Sequence, residues 1–183
     1  MNMIADLSTL NRRHFISISA AAAGGLMLNV SVPMLARPAR AASATPLTAW
    51  ISVAADETVT IEVGSAEMGQ GVLTSLPQII AEELMADWTK VVTREAKPDP
   101  VYANPMYHQQ LTAGSGSVRG YFDSMLKAGA TAREMLVAAG AARLGVPVAD
   151  CTVANGVITS QSTGQTITYG AVAGDAALLQ PPD

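Results

Sequence analysis

Aromatic residues are scarce: two Trp, four Tyr and two Phe in 183 residues. The apolar half of the composition is instead rich in Ala and Val, so any core must pack through small side chains and lean on a partner or cofactor. There is one cysteine, Cys151. A lone Cys excludes an internal disulfide, a Cys-x-x-Cys-His haem site and an iron–sulfur cluster. Any redox metal bound by thiolates must therefore sit on another subunit. Cys151 itself reads as a buried small hydrophobe in a strand. Histidine is nearly absent too. His108 has only His14 for company, and His14 lies in the N-terminal leader, so no histidine metal site is expected. Ser115 lacks a His–Asp pair for a hydrolase triad. Basic charge is also lacking. Four of the eleven basic residues and one of the fifteen acidic ones fall in residues 1–44, which leaves the remainder near −7. That argues against nucleic acid, which needs a basic footprint.

What the start does have is Asn11-Arg12-Arg13-His14-Phe15-Ile16-Ser17, followed by an uncharged stretch to Val32. Gly24, Gly25, Asn29 and several serines make that stretch only moderately hydrophobic. It is barely long enough to span a bilayer and carries no aromatic belt. Paired arginines before a weak apolar run read as a twin-arginine export address. Ala42-Ser43-Ala44 suits cleavage, with Ala39-Arg40-Ala41 as second choice. An uncleaved amphipathic N-terminal helix is the alternative. The expected organisation is a signal peptide over 1–44 and one modest folded unit over 45–183, working in the periplasm. Export in folded form suits a protein that loads its cofactor in the cytoplasm.

Leu47 to Ala54 and Thr58 to Val63 alternate as strands, with Ile51 and Val53 on one face and a turn at Asp56-Glu57. Leu73, Leu76, Ile80 and Leu84 recur at helical spacing, predicting a helix to about Ala86 with Pro77 in its first turn. Lys90 to Glu95 is a further strand. Residues 98–117 lack periodicity, and a loop of that length usually binds something. Ser117 is the expected N-cap of a long helix whose face is Val118, Phe122, Met125, Leu126, Gly129, Ala132, Leu136 and Ala139. Gly129 permits close packing, and Gly145-Val146-Pro147 ends the helix. A hairpin turning at Asn155-Gly156, a strand over Gln165 to Tyr169 and a short last helix complete the chain. The class is α+β: short strand hairpins packed with two amphipathic helices. Trp50, Trp88, Tyr102 and Tyr107 read as packing or lining residues.

Two glycine-rich elements invite chemistry. Glu67-Met68-Gly69-Gln70-Gly71 sits between a strand and a helix, where glycines allow close approach and positive φ. The amide of Gln70 both donates and accepts. The bland alternative is a tight turn with an exposed amide. Gly114-Ser115-Gly116-Ser117 opens a helix whose first N–H groups and dipole suit a phosphate. It is neither a Walker motif nor a Gly-x-Gly-x-x-Gly turn. Its bland alternative is an ordinary N-cap after a flexible loop.

The run Ser65-Ala66-Glu67-Met68-Gly69-Gln70-Gly71-Val72-Leu73-Thr74 resembles the Glu-Met-Gly-Gln-Gly-x-x-Thr motif of the xanthine oxidase family. Ala113-Gly114-Ser115-Gly116-Ser117-Val118-Arg119-Gly120 resembles that family's second cofactor loop. The chain is similar over nearly its whole length to molybdopterin-binding large subunits of isoquinoline 1-oxidoreductase type, bacterial membrane-bound aldehyde dehydrogenases among them. The resemblance implies part of a larger molybdopterin-binding domain. It assigns cofactor contacts to Gly69, Gln70, Gly71, Gly114, Ser115, Gly116 and Ser117, with Gln70 beside the molybdenum oxo ligand. Usual members carry Ser-Thr-Ser before Val-Arg-Gly where this chain has Ser-Gly-Ser, which removes one hydroxyl and leaves the backbone contacts. The implied cofactor is molybdenum with a molybdopterin dinucleotide, in its cytosine form. The implied partners are the remainder of the large subunit, a small iron–sulfur subunit and a membrane-bound cytochrome c carrying haem. The whole enzyme would oxidise an aldehyde or N-heterocycle with water-derived oxygen. The family's catalytic glutamate lies near the far C-terminus of much longer chains, so no catalytic residue is expected here. Glu67 is assigned to the loop's own hydrogen bonding and Glu82 to a helix surface. The competing classes are a non-enzymatic docking module and an independent extracytoplasmic ligand-binding domain.

Overall fold

The computed structural model describes residues 45–182, and the stretch read as a leader lies outside them. The first sheet has strands β1 (Thr45–Pro46), β2 (Ile51–Val53), β3 (Val59–Val63) and β4 (Val91–Glu95), in that spatial order. β2 and β3 form the expected antiparallel hairpin, with Ile51 opposite Ile61 and Val53 opposite Val59. The single strand expected from Leu47 is instead folded back on itself. Leu47 and Thr48 both donate to the Ile51 carbonyl, so β1 turns and pairs with β2. β4 is parallel to β3. Parallel neighbours cannot be joined by a tight turn, and the helix α1 (Val72–Leu84) supplies the crossover.

α1 buries Val72, Leu76, Ile80 and Leu84. Pro77 lies past the first turn, not within it. Its missing N–H withholds the usual bond from the Leu73 carbonyl, and the buried position of its ring keeps it in the core. Met85, at φ 53, ends the helix just before the expected Ala86.

α2 (Gly116–Leu144) is the long helix and packs along α1. Gly129 marks their close approach: a Cβ there would lie 2.7 Å from the Ile80 carbonyl oxygen. Met125, Ala132, Leu136 and Ala139 are buried as expected, but Val118 and Phe122 are exposed. Tyr121 takes the inner position of that turn instead. Its hydroxyl donates to the Tyr102 carbonyl at 2.7 Å, which satisfies the polar tip and lets the ring bury. Burial pushes the phenol up to about 12. Trp50 packs edge-on against both Tyr102 and Tyr121.

The second sheet is an antiparallel meander of β5 (Cys151–Ala154), β6 (Val157–Ser160) and β7 (Thr166–Thr168), followed by α3 (Tyr169–Ala176). Asn155 and Gly156 both have positive φ, 50° and 73°, as a two-residue type I′ turn requires. Gly156 N–H donates to the Met85 carbonyl, and the Tyr169 hydroxyl donates to the Leu84 carbonyl at 2.8 Å. The meander is thereby clipped to the end of α1. Cys151 does open a strand, but it is only half-buried, because it lines an open recess.

Candidate cofactor-binding site

The β3–α1 and loop–α2 junctions converge on one groove of about 410 Å³. Met68, Gln70, Val72 and Ser75 line it from the first junction, and Thr112, Gly114, Ser115, Ser117 and Val118 from the second. Every lining side chain is uncharged. Of the residues expected to touch a cofactor, Gln70, Gly114, Ser115 and Ser117 face this groove, while Gly69, Gly71 and Gly116 sit in the same two loops without lining it.

The Gln70 loop is built around a carboxylate. Glu67 accepts the N–H groups of Gly69 at 2.7 Å, Gly71 at 3.0 Å and Leu73 at 3.0 Å. Those bonds, Leu73 first and then Gly71, hold the Glu67 carboxyl below the usual range. Gly69 and Gly71 have φ 94° and 78°, and a Cβ on either would meet nothing within 4 Å. Their conformation, not close packing, requires glycine. The Gln70 amide is oriented by its own loop. Its Oε1 accepts from Met68 N–H at 2.6 Å, and its Nε2 donates to the Ala66 carbonyl at 2.8 Å. One Nε2–H is left over, so toward a ligand Gln70 is a donor.

The second junction is held differently. Ser115, at φ 53, occupies the N-cap position and makes no side-chain cap. Ser117 is not the N-cap expected of it; it lies in the first turn and accepts a hydrogen bond from the Ser65 hydroxyl at 2.9 Å. That contact ties the two glycine-rich elements to each other. Gly116 is packed, since a Cβ there would sit 2.6 Å from Tyr107 Cε2. A side chain larger than hydrogen would push the ring away. Beyond Gly116, whose N–H donates to the Ala113 carbonyl, the first turn of α2 thus presents backbone N–H groups with no cap from Ser115.

Two residues that build the site, Asn104 and Thr112, were missed in the sequence, and Tyr107, read there as a packing or lining residue, joins them. Asn104 is completely buried, donates to the Gly116 carbonyl at 2.9 Å and accepts from Met106 N–H at 2.9 Å. Its signal was present: Asn-Pro starts a turn. Tyr107 packs on Gly116 and donates to the Ala113 carbonyl. Thr112 accepts from Ala66 N–H at 3.0 Å and bridges the two loops. His108 is exposed, and no cluster of metal-ligating side chains occurs among the described residues. Glu82 is on the helix surface, as expected. A larger recess of about 600 Å³, lined by Met85, Arg133, Cys151 and Leu179, lies apart from both junctions.

The two glycine-rich loops of this α+β unit thus meet at one uncharged groove. Residues 19–182 match the model of the molybdopterin cofactor-binding domain, and the chain belongs to that family. The match begins inside the stretch read as a leader. The chain is 40% identical over 136 residues to the isoquinoline 1-oxidoreductase subunit beta of Brevundimonas diminuta, covering 73% of this chain and 17% of that protein. It is 34% identical over 177 residues to the membrane-bound aldehyde dehydrogenase [pyrroloquinoline-quinone] of Gluconacetobacter polyoxogenes, covering 90% of this chain and 21% of that one. The chain thus spans about a fifth of the length of these relatives. The Cu,Mo-CO dehydrogenase structure shares the fold, with a TM-score of 0.53 at 20% identity, over 67% of this chain and 15% of that one.

Proposed function

We propose that this chain is the N-terminal part of an exported molybdenum hydroxylase subunit, and that its groove holds part of a molybdopterin dinucleotide in the cytosine form. The observation that carries the reading is the convergence of Gln70 and the Ser115 loop on one uncharged groove. The residues suit such a group. Ser115 and the uncapped first turn of α2 offer donors and a favourable dipole to phosphate. The small and uncharged lining admits a fused ring without placing a carboxylate against the anion. Gln70 directs its remaining N–H to an acceptor on the ring or its metal. When bound, the molybdenum centre supplies two-electron oxidation of carbon with oxygen drawn from water. This chain's part is to hold and orient that group, and the base that activates water belongs to the remainder of the large subunit.

The whole enzyme, on this reading, oxidises an aldehyde or an N-heterocycle, the classes named for the two relatives. Electrons leave through clusters on a small iron–sulfur subunit and on to a membrane-bound cytochrome c. Arg12-Arg13 direct export to the periplasm. Exposed Met68 and Val118 line the groove, exposed Phe122 follows one helical turn after Val118, and these side chains suit cover by the remainder of the large subunit.

The test is metal and cofactor analysis of the purified native complex, with the mass of the chain that copurifies. Molybdenum and a pterin nucleotide at one per complex are expected. Pyrroloquinoline quinone in place of molybdenum would refute the proposal, a real contest given the name of the Gluconacetobacter relative.

A further inference from the structure

Two helix N-termini flank the groove, those of α1 and α2, yet they are in different chemical states. At the α2 terminus the Gly116 N–H goes to the Ala113 carbonyl and Ser115, in the N-cap position, makes no side-chain cap. The α1 terminus is already filled: Glu67 lies across it, with Oε1 on Gly69 and Gly71 and Oε2 on Leu73. Glu67 is itself fixed, because its own N–H donates to the Glu95 carboxylate at the end of β4 at 3.0 Å. Gly71 at φ 78 and Gly69 at φ 94 give the chain the curvature that points both N–H groups at one carboxylate oxygen. The same curvature brings Gln70 to its two bonds with Ala66 and Met68. A negative group at a helix N-terminus is favoured by the dipole, and only one can occupy it.

We propose that Glu67 is the positioning residue of the Gln70 loop. By accepting the N–H groups of Gly69, Gly71 and Leu73 it fixes the loop so that Gln70 faces the groove, and it closes the α1 terminus to any external anion. Phosphate is thereby directed to the Ser115 end alone, which sets the direction in which an extended cofactor lies. The proposal rests on the cofactor reading of the groove. It adds a residue that touches neither phosphate nor ring and acts through Gln70.

The test uses the full chain, free of cofactor, with amide hydrogen exchange as readout and inorganic pyrophosphate as probe. In the unmodified protein the amides of Gly69, Gly71 and Leu73 should be protected. Glu67→Ala should speed their exchange about tenfold or more. Glu67→Gln keeps one carbonyl oxygen for Gly69 and Gly71 and turns an amide toward Leu73, so it should restore protection at the two glycines and leave Leu73 fast. Pyrophosphate should slow exchange only around Ser115 to Val118 in the unmodified protein. In Glu67→Ala it should also slow Gly69 to Leu73, because the terminus has been vacated. Unchanged exchange in Glu67→Ala, or protection of Gly69 to Leu73 by pyrophosphate in the unmodified protein, would overturn the proposal. Pyrophosphate that leaves the Ser115 end untouched in every variant would instead overturn the cofactor reading, and the exchange rates would still decide the role of Glu67.

Discussion

Removing Asn104 should loosen the second cofactor loop without unfolding the unit. Its side chain is wholly buried and makes two hydrogen bonds of 2.9 Å, one to the Gly116 carbonyl and one from Met106 N–H. Each is worth about 1 kcal/mol, and leaving a buried partner unmet adds about 1 kcal/mol more. Asn104→Ala should therefore cost about 2–3 kcal/mol locally, or about 30- to 150-fold in the opening equilibrium. The reporters are the amides of Tyr107 and His108, which donate to the Asn104 carbonyl, and of Gly116, which donates to Ala113. Native-state hydrogen exchange reads them directly and does not require global melting to be two-state. The same site can be attacked from the other side. A Cβ on Gly120 would lie 2.7 Å from Asn104 Cγ. Gly120→Ala should expel Asn104 and speed the same amides, although alanine favours the helix itself by about 1 kcal/mol. Exchange within threefold of the unmodified protein in both variants would refute the claim that Asn104 pins the loop.

Replacing Arg12 and Arg13 with Lys should leave the chain in the cytoplasm; unchanged periplasmic accumulation, read by fractionation, would count against the twin-arginine assignment. Gln70→Ala in the complete assembly should lower turnover more than molybdenum content. One donor to a strongly polar group is worth about 1.5–3 kcal/mol, roughly ten- to a hundredfold in rate if all of it appears in the barrier, and wild-type turnover in a folded variant would sink that role. Acid should release the Gln70 loop. The Glu67 carboxyl is held below its ordinary value by the Leu73, Gly71 and Gly69 amides, and Asp150 by the Ser160 and Ser162 hydroxyls. The unfolded chain binds these protons at a higher pH than the folded one. Their stabilisation is complete above the ordinary carboxylate range and is lost as pH falls through the depressed folded values. Exchange at Leu73, corrected for intrinsic pH dependence, should therefore stay flat down to the ordinary range and rise only below it. Loss of protection near neutrality would contradict this.

The elements were legible where periodicity and turn chemistry agreed. The β2–β3 hairpin, the α1 stripe and the Asn155-Gly156 turn each rest on a local pattern whose physical cause is also local. The misses are cases where a distant group decides. Phe122 outranks Tyr121 by hydrophobicity, yet Tyr121 goes inside because the Tyr102 carbonyl is there to accept its hydroxyl. Ser117 has the right chemistry for an N-cap, but the Ser65 hydroxyl, more than fifty residues away, bonds it instead. The parallel register of β4 on β3 has no signature in either strand alone. The site followed the same rule. Both glycine loops and the packing role of Tyr107 could be read from the sequence, whereas Asn104 and Thr112 matter through contacts with residues elsewhere in the chain.

The two loops also divide the work in a way their composition conceals. Both are glycine-rich junctions ahead of a helix, and both read as backbone cradles for an anion. One already contains its anion. With Glu67 taking the Gly69, Gly71 and Leu73 amides and the Ala66 carbonyl taking one Nε2–H of Gln70, the group that loop offers a ligand is the second Nε2–H of Gln70. On the proposed reading that single donor meets an acceptor atom of the ring or its metal. The other loop gives the Gly116 N–H to the Ala113 carbonyl, but Ser115 makes no side-chain cap over the rest of the first turn, and a phosphate is what such donors favour. The Ser65–Ser117 bond and the Ala66–Thr112 bond fix the distance between the two. On the proposed reading the ligand carries an acceptor toward Gln70 and a phosphate toward Ser115, and those two bonds hold together the loops it would span.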